Sequence, residues 1–321
     1  MTNIVKVSVI IPTYNYGRFL GEAIQSVLDQ TLTDFELIVV DDGSTDNTKE
    51  VVSSFKDSRI KYIYQENCGV SAAQNTGIRA STGEYIAILG SDDKWFPENL
   101  ELQVRMLDAH PDVGLVCSDG YLFDDRTGAT LGRMWHLNFP GLNLRRASQQ
   151  PLRELLSRGC FIRPQFTVMR RVIFGETGYF DESLRIGEDW ELFIRITQRF
   201  TIECLDMPLG WRRKHGAALT AHRIETYPET LRTLDKVLHN HSLSKANLAL
   251  VKRALSFTHF NYGKYMVVHS RGDLGRKKLR EAIKVNPWSI RPYIYLVGSL
   301  LGDRVISSIK SWKKSLEWRP V

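Results

Sequence analysis

Two adjacent carboxylates, Asp92 and Asp93, follow an apolar run of strand length, Tyr85-Ile86-Ala87-Ile88-Leu89, after only Gly90 and Ser91. A buried strand that delivers charge to its end needs compensation, because an unpaired buried carboxylate is costly unless a cation or hydrogen bonds meet it. Two such side chains at one point suit a divalent cation. A solvated turn that caps the next helix is the plainer account, since Asp is common in both places. Asp41-Asp42-Gly43-Ser44 repeats the arrangement after Phe35 to Val40, and Pro12-Thr13-Tyr14-Asn15 follows Val7-Ser8-Val9-Ile10-Ile11. A third acidic pair, Glu188-Asp189, opens a helical pattern through Ile196. The positive end of a helix dipole favours acids there, which accounts for that pair without chemistry.

Other chemistries lack their residues. Cys68, Cys117, Cys160 and Cys204 lie far apart with no Cys-x-x-Cys pair, so neither a zinc ribbon nor a disulfide framework is indicated, and a reducing compartment is expected. No Gly-x-Ser-x-Gly elbow offers a nucleophile, no Gly-x-Gly-x-x-Gly follows the first strand, and the helix expected over 69–80 is glycine-flanked without a phosphate-loop pattern. The histidines other than His215 show no metal-ligand spacing.

The elements that must position these residues alternate. Strands are expected at Val7 to Ile11, Phe35 to Val40, Ile60 to Tyr64, 85–89 and Val113 to Cys117. Between them, helical spacing runs from Phe19 through Gln30, from Ser44 or Thr45 to about Lys56, over 69–80, and from about Pro97 to Ala109. Alternation of this kind gives a mostly parallel sheet with helices on both faces, and ligands collect at the carboxyl ends of its strands. All three polar clusters then fall on one edge and make one site. From 120 to 180 the pattern weakens, with Gly128, Gly132, Pro140, Gly141 and Pro151 interrupting it, and an acceptor-binding region is expected there.

The 321 residues are 43% hydrophobic and 25% charged, which is ordinary for a globular chain and long enough for one main domain plus an appendage. The net charge of +7 is unevenly spread. Residues 1–222 hold 24 Lys and Arg against 29 Asp and Glu, whereas residues 223–321 hold 19 against 7. A basic, helical C-terminal region of that kind meets an anionic surface, and by charge alone either nucleic acid or a membrane leaflet would serve. Within it, Gly263, Leu279, Ala282 and Pro287 fit a tetratricopeptide-like register, with a helix hairpin from Phe257 to Pro287. Tyr293 to Leu301 is apolar but too short to cross a bilayer, although it could lie on one. No signal peptide or membrane span is read, so a soluble cytoplasmic chain is expected.

Six ordered blocks carry a resemblance: VSVIIPTYN (7–15), SVLDQT (26–31), FELIVVDDGSTD (35–46), GVSAAQNTGI (69–78), GEYIAILGSDD (83–93) and GEDWELFIR (187–195). Over residues 7 to about 220 the chain resembles the family 2 glycosyltransferases. The resemblance implies the GT-A (Rossmann-like) fold over 1–222, followed by the helical region 223–321. It also implies inverting, metal-dependent transfer of a sugar from a nucleotide diphosphate, a UDP-sugar being expected, to a hydroxyl of a glycan or lipid-linked acceptor in polysaccharide or cell-envelope synthesis. On that reading Pro12, Thr13 and Tyr14 line the nucleotide base and Asp42, beside Asp41, accepts a hydrogen bond from it. Asp92 reaches the ribose side, Asp93 holds Mn²⁺ or Mg²⁺, and Asp189 is the catalytic base. His215, in Trp211-Arg212-Arg213-Lys214-His215-Gly216, resembles a histidine that approaches the metal or diphosphate. Gln74 stands among the nucleotide-binding residues where many members carry Arg, and Gly90 where Asp is common, which leaves phosphate charge to the metal, His215 and the arginines near it. The implied partners are a nucleotide sugar, the acceptor and, through the basic region, the inner face of a membrane, with no nucleic acid. A nucleotide-sugar-binding protein without turnover is the alternative.

Overall fold

The computed structural model of the chain describes residues 5–216, 226–239, 243–269 and 271–301. The described chain opens as β1 (Val7–Thr13), α1 (Gly17–Leu28), β2 (Phe35–Asp42), α2 (Thr48–Ser54), β3 (Ile60–Gln65), α3 (Val70–Ala80), β4 (Tyr85–Ile88), β5 (Lys94–Trp95) and α4 (Asn99–Ala109). It continues as β6 (Val113–Asp124), β7 (Thr130–Arg133), α5 (Met134–Asn138), α6 (Leu144–Gln149), α7 (Pro151–Arg158), β8 (Thr167–Arg170), α8 (Val172–Thr177), α9 (Glu188–Ile196) and β9 (Thr201–Lys214). Four helices follow: α10 (Thr226–Leu238), α11 (Lys245–Val268), α12 (Gly272–Val285) and α13 (Ile290–Leu301). Two compact units result, Met1–Leu155 with Gly159–Ala221 and Leu156–Arg158 with His222–Val321.

One nine-stranded sheet organises the first unit, in the order β3-β2-β1-β4-β8-β6-β9-β5 with β7 on the flank of β6. The four strands β3, β2, β1 and β4 are parallel, and β2 is buried at every residue, which matches apolar runs without alternation. Beyond β4 the sheet is mixed. β8 runs antiparallel to both neighbours, β4 and β6, and β9 pairs parallel with β6. The α/β class is as expected, but β8 lies in the weakly patterned stretch. Its four residues, Thr-Val-Met-Arg, are too few to register as a period. Phe19, Leu20, Ala23, Ile24 and Val27 of α1 turn one buried face to the sheet, and at Gly77 of α3 an added Cβ would run into Ile10. That bare contact lets α3 lie directly on β1.

Helices α11 and α12 pack around two glycines. A Cβ on Gly263 would meet Leu279 and the Gly275 carbonyl at 2.9 Å, and one on Gly275 would meet the Val267 amide nitrogen at 2.7 Å. Phe260, Val267, Leu279, Ala282 and Tyr295 form the core of this unit. No helix among the described residues is long and apolar enough to cross a membrane.

A buried glutamate ties the parallel half together. Glu36 Oε1 accepts from the Ser8 hydroxyl at 2.6 Å and from the Thr82 amide and hydroxyl at 2.7 Å, and Oε2 meets Lys61 Nζ at 2.5 Å. Burial alone would raise its pKa, but Lys61, Ser8 and Thr82 outweigh burial and bring it down to about 2. A depressed carboxyl pKa stabilises the fold above the unfolded value and loses that contribution as pH falls through the folded one. Glu36→Gln should therefore cost on the order of 2 kcal/mol at pH 7 and flatten the stability profile between about pH 5 and 2, read by urea denaturation across pH.

Candidate functional site

The first polar cluster is laced to the second. Thr13 at the end of β1 lies opposite Asp41 at the end of β2. Asn15, in the left-handed region at φ 55°, receives a hydrogen bond on its amide side-chain oxygen from Thr45 N at 2.8 Å and donates its own N–H to Ser44 Oγ at 2.9 Å. Asp41 is spent locally, accepting from Ser44 N at 2.8 Å and from the Tyr62 hydroxyl at 2.6 Å. Asp42 accepts from Gln65 Nε2 at 2.7 Å and Cys68 N at 3.0 Å on Oδ1, and from Gly69 N at 2.8 Å on Oδ2. In contrast, Thr13 Oγ1 and Gln74 Oε1 are buried without a hydrogen-bond partner. Pro12 is half-buried and the Tyr14 side chain is exposed beside them.

The Asp92-Asp93 turn is clamped by β9. Arg213 donates its backbone N–H to Asp93 Oδ1 at 2.9 Å and its Nε–H to the Asp92 carbonyl at 3.0 Å. His215 Nε2 lies 2.8 Å from Asp92 Oδ2, so the histidine pairs with Asp92 rather than with Asp93. Its ring is walled by Phe19 at 5.0 Å and Tyr16 at 5.5 Å, and Nδ1 is buried with no partner. Asp93 is 4% exposed, and burial first, then Asp92, pushes its pKa up to about 8. Such a carboxyl stays protonated at neutral pH unless a cation is brought beside it.

The donor set fits a divalent ion on the evidence of one glycine. A Cβ on Gly90 would stand 3.0 Å from Asp92 Oδ1 and 3.1 Å from Asp93 Oδ2, so one oxygen of each carboxyl faces the same bare backbone position. Among the described residues no three His, Cys, Asp or Glu side chains converge on one point as a complete metal cage. Mg²⁺ and Mn²⁺ do not require one, since hard ions of this kind fill their shells with water and phosphate oxygens.

Asp189 stands in the first turn of α9, after Gly187 at φ 85°, with Oδ1 accepting from the Trp190 N–H at 2.7 Å. Trp190 is anchored through its indole N–H to the Leu155 carbonyl at 3.1 Å, which fixes the start of the helix. Beside it, burial and then Asp189 push the Glu188 carboxyl up to about 8. Arg212 joins the acidic groups. Burial and then Arg163 lower its pKa, while Asp93, Asp92 and Asp189 pull the other way, so one guanidinium lies within electrostatic reach of all three carboxylates. Successive strand residues point to opposite faces, which is why Arg212 faces this cluster while Arg213 turns to Asp125 and Glu22. Motif reading grouped Arg212 only loosely with the arginines near His215. It missed Arg163, whose Nε is buried and unpartnered, because Arg163 belongs to no recognisable pattern.

The fold is a mixed α/β sheet that gathers unsatisfied polar atoms and paired acids beyond its strand ends, where ligands collect in sheets of this kind. Residues 8–178, just over half of the chain, match glycosyl transferase family 2, and the chain belongs to that family. A glycosyltransferase of Rickettsia bellii is 33% identical over 249 residues, 75% of this chain and 33% of the relative. This chain spans about a third of the length of that and two further Rickettsia relatives. WfgD of Escherichia coli, named a UDP-Glc:alpha-D-GlcNAc-diphosphoundecaprenol beta-1,3-glucosyltransferase, is 44% identical over 102 residues, 32% of this chain and 40% of WfgD. Among solved structures, S. aureus TarS 1-349 in complex with UDP-GlcNAc shares the fold at a TM-score of 0.68 and 20% identity, covering 98% of this chain and 93% of that one. The mannosyltransferase PcManGT of Pyrobaculum calidifontis, solved with GDP-Man and Mn²⁺, does so at 0.60 and 18%, covering 98% and 84%.

Because Asp42 holds three protein donors, Asp42→Asn should lower stability without any ligand present, by roughly 1–3 kcal/mol, as one amide loses its acceptor. Chemical denaturation of the ligand-free protein reads this directly, and an unchanged midpoint would show that Asp42 carries no structural weight.

Proposed function

We propose that the protein is an inverting glycosyltransferase that takes a sugar from a nucleotide diphosphate, a UDP-sugar by preference, and delivers it to a hydroxyl of a glycan or lipid-linked acceptor. The observation that carries this reading is the Asp92-Asp93 turn, with the Arg213 N–H 2.9 Å from Asp93 Oδ1, His215 2.8 Å from Asp92 Oδ2, and Asp189 sharing with both acids an electrostatic pull on Arg212. Thr13 Oγ1 and Gln74 Oε1, buried and unpaired, are the groups left to hydrogen-bond a nucleotide, with Pro12 and Tyr14 against its base and Asp41 and Asp42 shaping the loop. Asp42 Oδ2, with a single protein donor, keeps capacity to accept from a base N–H.

Asp93 and His215 would hold Mn²⁺ or Mg²⁺, with Asp92 on the ribose side and within 2.8 Å of the His215 ring. When bound, the ion neutralises the departing diphosphate. Arg212 adds a fixed cation on the same charge. Asp189, partly exposed at a helix start, takes the proton of the acceptor hydroxyl as that oxygen attacks the anomeric carbon from the side opposite the diphosphate. A single displacement of this kind inverts the configuration and needs no protein nucleophile. The UDP-sugar preference follows the names of WfgD and of the TarS complex, and the lipid-linked acceptor that of WfgD. A lipid-linked acceptor also brings the protein to a membrane surface, which the basic C-terminal region suits.

Asp189→Asn keeps the shape and the helix start but cannot take the proton, so donor affinity should stay near wild type while the transfer rate falls by roughly 10² or more. A loss of donor affinity with the rate retained would make Asp189 a binding residue. Asp93→Asn should fold and lose Mn²⁺-dependent donor binding, and a variant that kept Mn²⁺-dependent turnover would remove Asp93 from the ion. The sugar can be found from melting temperatures over a panel of nucleotide sugars, where a ligand at 100 times its Kd adds about 2.7 kcal/mol. A panel without any response would sink the donor reading.

A further inference from the structure

Helix α13 has its apolar side outward. Ile290 is 71% exposed, Tyr293 41%, Ile294 47%, Val297 55%, Leu300 66% and Leu301 67%. At about 100° per residue these six positions share one stripe roughly 120° wide with no charged side chain in it. The opposite face buries Pro292, Tyr295 and Gly298 against the core of the helical unit. A water-facing helix ordinarily shows the reverse distribution, with its large aliphatics inside and its polar residues out. Trp288, just before the helix, is 95% exposed.

We propose that this face of α13 is a membrane-docking surface that lies in the plane of an anionic leaflet. Charge decides the occupant. No Asp or Glu occurs between Glu281 and Asp303, and Lys277, Arg280 and Lys284 of α12 are exposed. The sequence from 223 to 321 carries 19 basic residues against 7 acidic ones, so a second copy placed face to face would bring two strongly positive regions together, whereas acidic lipid headgroups complement them. Twelve residues of helix reach about 18 Å, too short to span a bilayer and long enough to lie along it. Trp288 and Tyr293 are the amphipathic rings that favour the depth between headgroup and acyl chain. The docking deepens the lipid-linked acceptor reading by naming the surface that would reach the acceptor, but its test does not depend on turnover.

The experiment compares the full chain with Ile294→Glu/Val297→Glu. Both substitutions lie at exposed positions, so the melting temperature and donor binding should match wild type. Vesicles of phosphatidylglycerol and phosphatidylcholine in equal parts should sediment the wild type, phosphatidylcholine alone should do so far less, and the variant should partition at least tenfold more weakly to the mixed vesicles. Ile294→Ser/Val297→Ser, which adds no negative charge, should also weaken partitioning and so separates lost apolar insertion from repulsion. A wild type that ignores mixed vesicles, or variants that bind like wild type, would overturn the proposal. So would a wild-type dimer in vesicle-free buffer that the variants dissolve, because the face would then belong to a second copy. If docking holds but no lipid-linked acceptor is glycosylated, the acceptor reading fails and the docking surface stands.

Discussion

The first unit depends on placing two carboxyl groups at the end of a buried strand. β4 is buried along its length, and the chain after it must turn at Gly90 with two carboxylates in hand. The solution is a second strand, β9, brought close enough that the Arg213 amide donates to Asp93 and His215 meets Asp92. Hydrogen bonds from the protein cover only part of each carboxylate. What remains on each is unpaired acceptor capacity at the carboxyl end of the sheet.

β9 therefore does more than extend the sheet. Its alternation puts Arg213 on one side, against Glu22, Asp125 and the ring faces of Phe19 and Phe123, and Arg212 on the other, among Asp92, Asp93 and Asp189. One strand thus braces the Asp92-Asp93 turn with one arginine and points the next to the opposite face. A one-residue slip of β9 would exchange these roles, which ties the register of the sheet to the electrostatics of the site.

The parallel half of the fold was legible because β1, β2 and β4 are apolar runs that stop near Thr13, Asp41 and Gly90, and the acid pairs marked the edge where ligands collect in sheets of this kind. β8 was not legible, since four residues inserted antiparallel between β4 and β6 leave no period and owe their place to partners distant in sequence. Asp189 and Glu188 could be seen but not separated from ordinary helix-dipole acids. The burial of Glu188 and the electrostatic reach of Asp189 to Arg212 distinguish them, and those are tertiary facts. Arg163 had no signal at all. The apolar character of Tyr293 to Leu301 was visible in the sequence, but which side of α13 it faces is decided by Pro292, Tyr295 and Gly298 packing inward.

The same dipeptide meets two fates in this sheet. Asp41-Asp42 and Asp92-Asp93 each follow an apolar strand, and each is buried wholly or in part. After β2 the chain curls so that the amides of Ser44, Cys68 and Gly69, with Tyr62 and Gln65, supply five donors to the pair, and most of its acceptor capacity goes to holding loops. After β4 a single amide, that of Arg213, reaches Asp93, and Asp92 has His215. The difference lies in the supply of backbone N–H groups, not in the acids. A loop that folds back over a carboxylate makes it structural, and a loop that leads away leaves it with lone pairs for an ion. The second arrangement is the costlier one for the ligand-free protein, and its persistence at the edge where ligands collect is best understood as a cost that ligand binding repays.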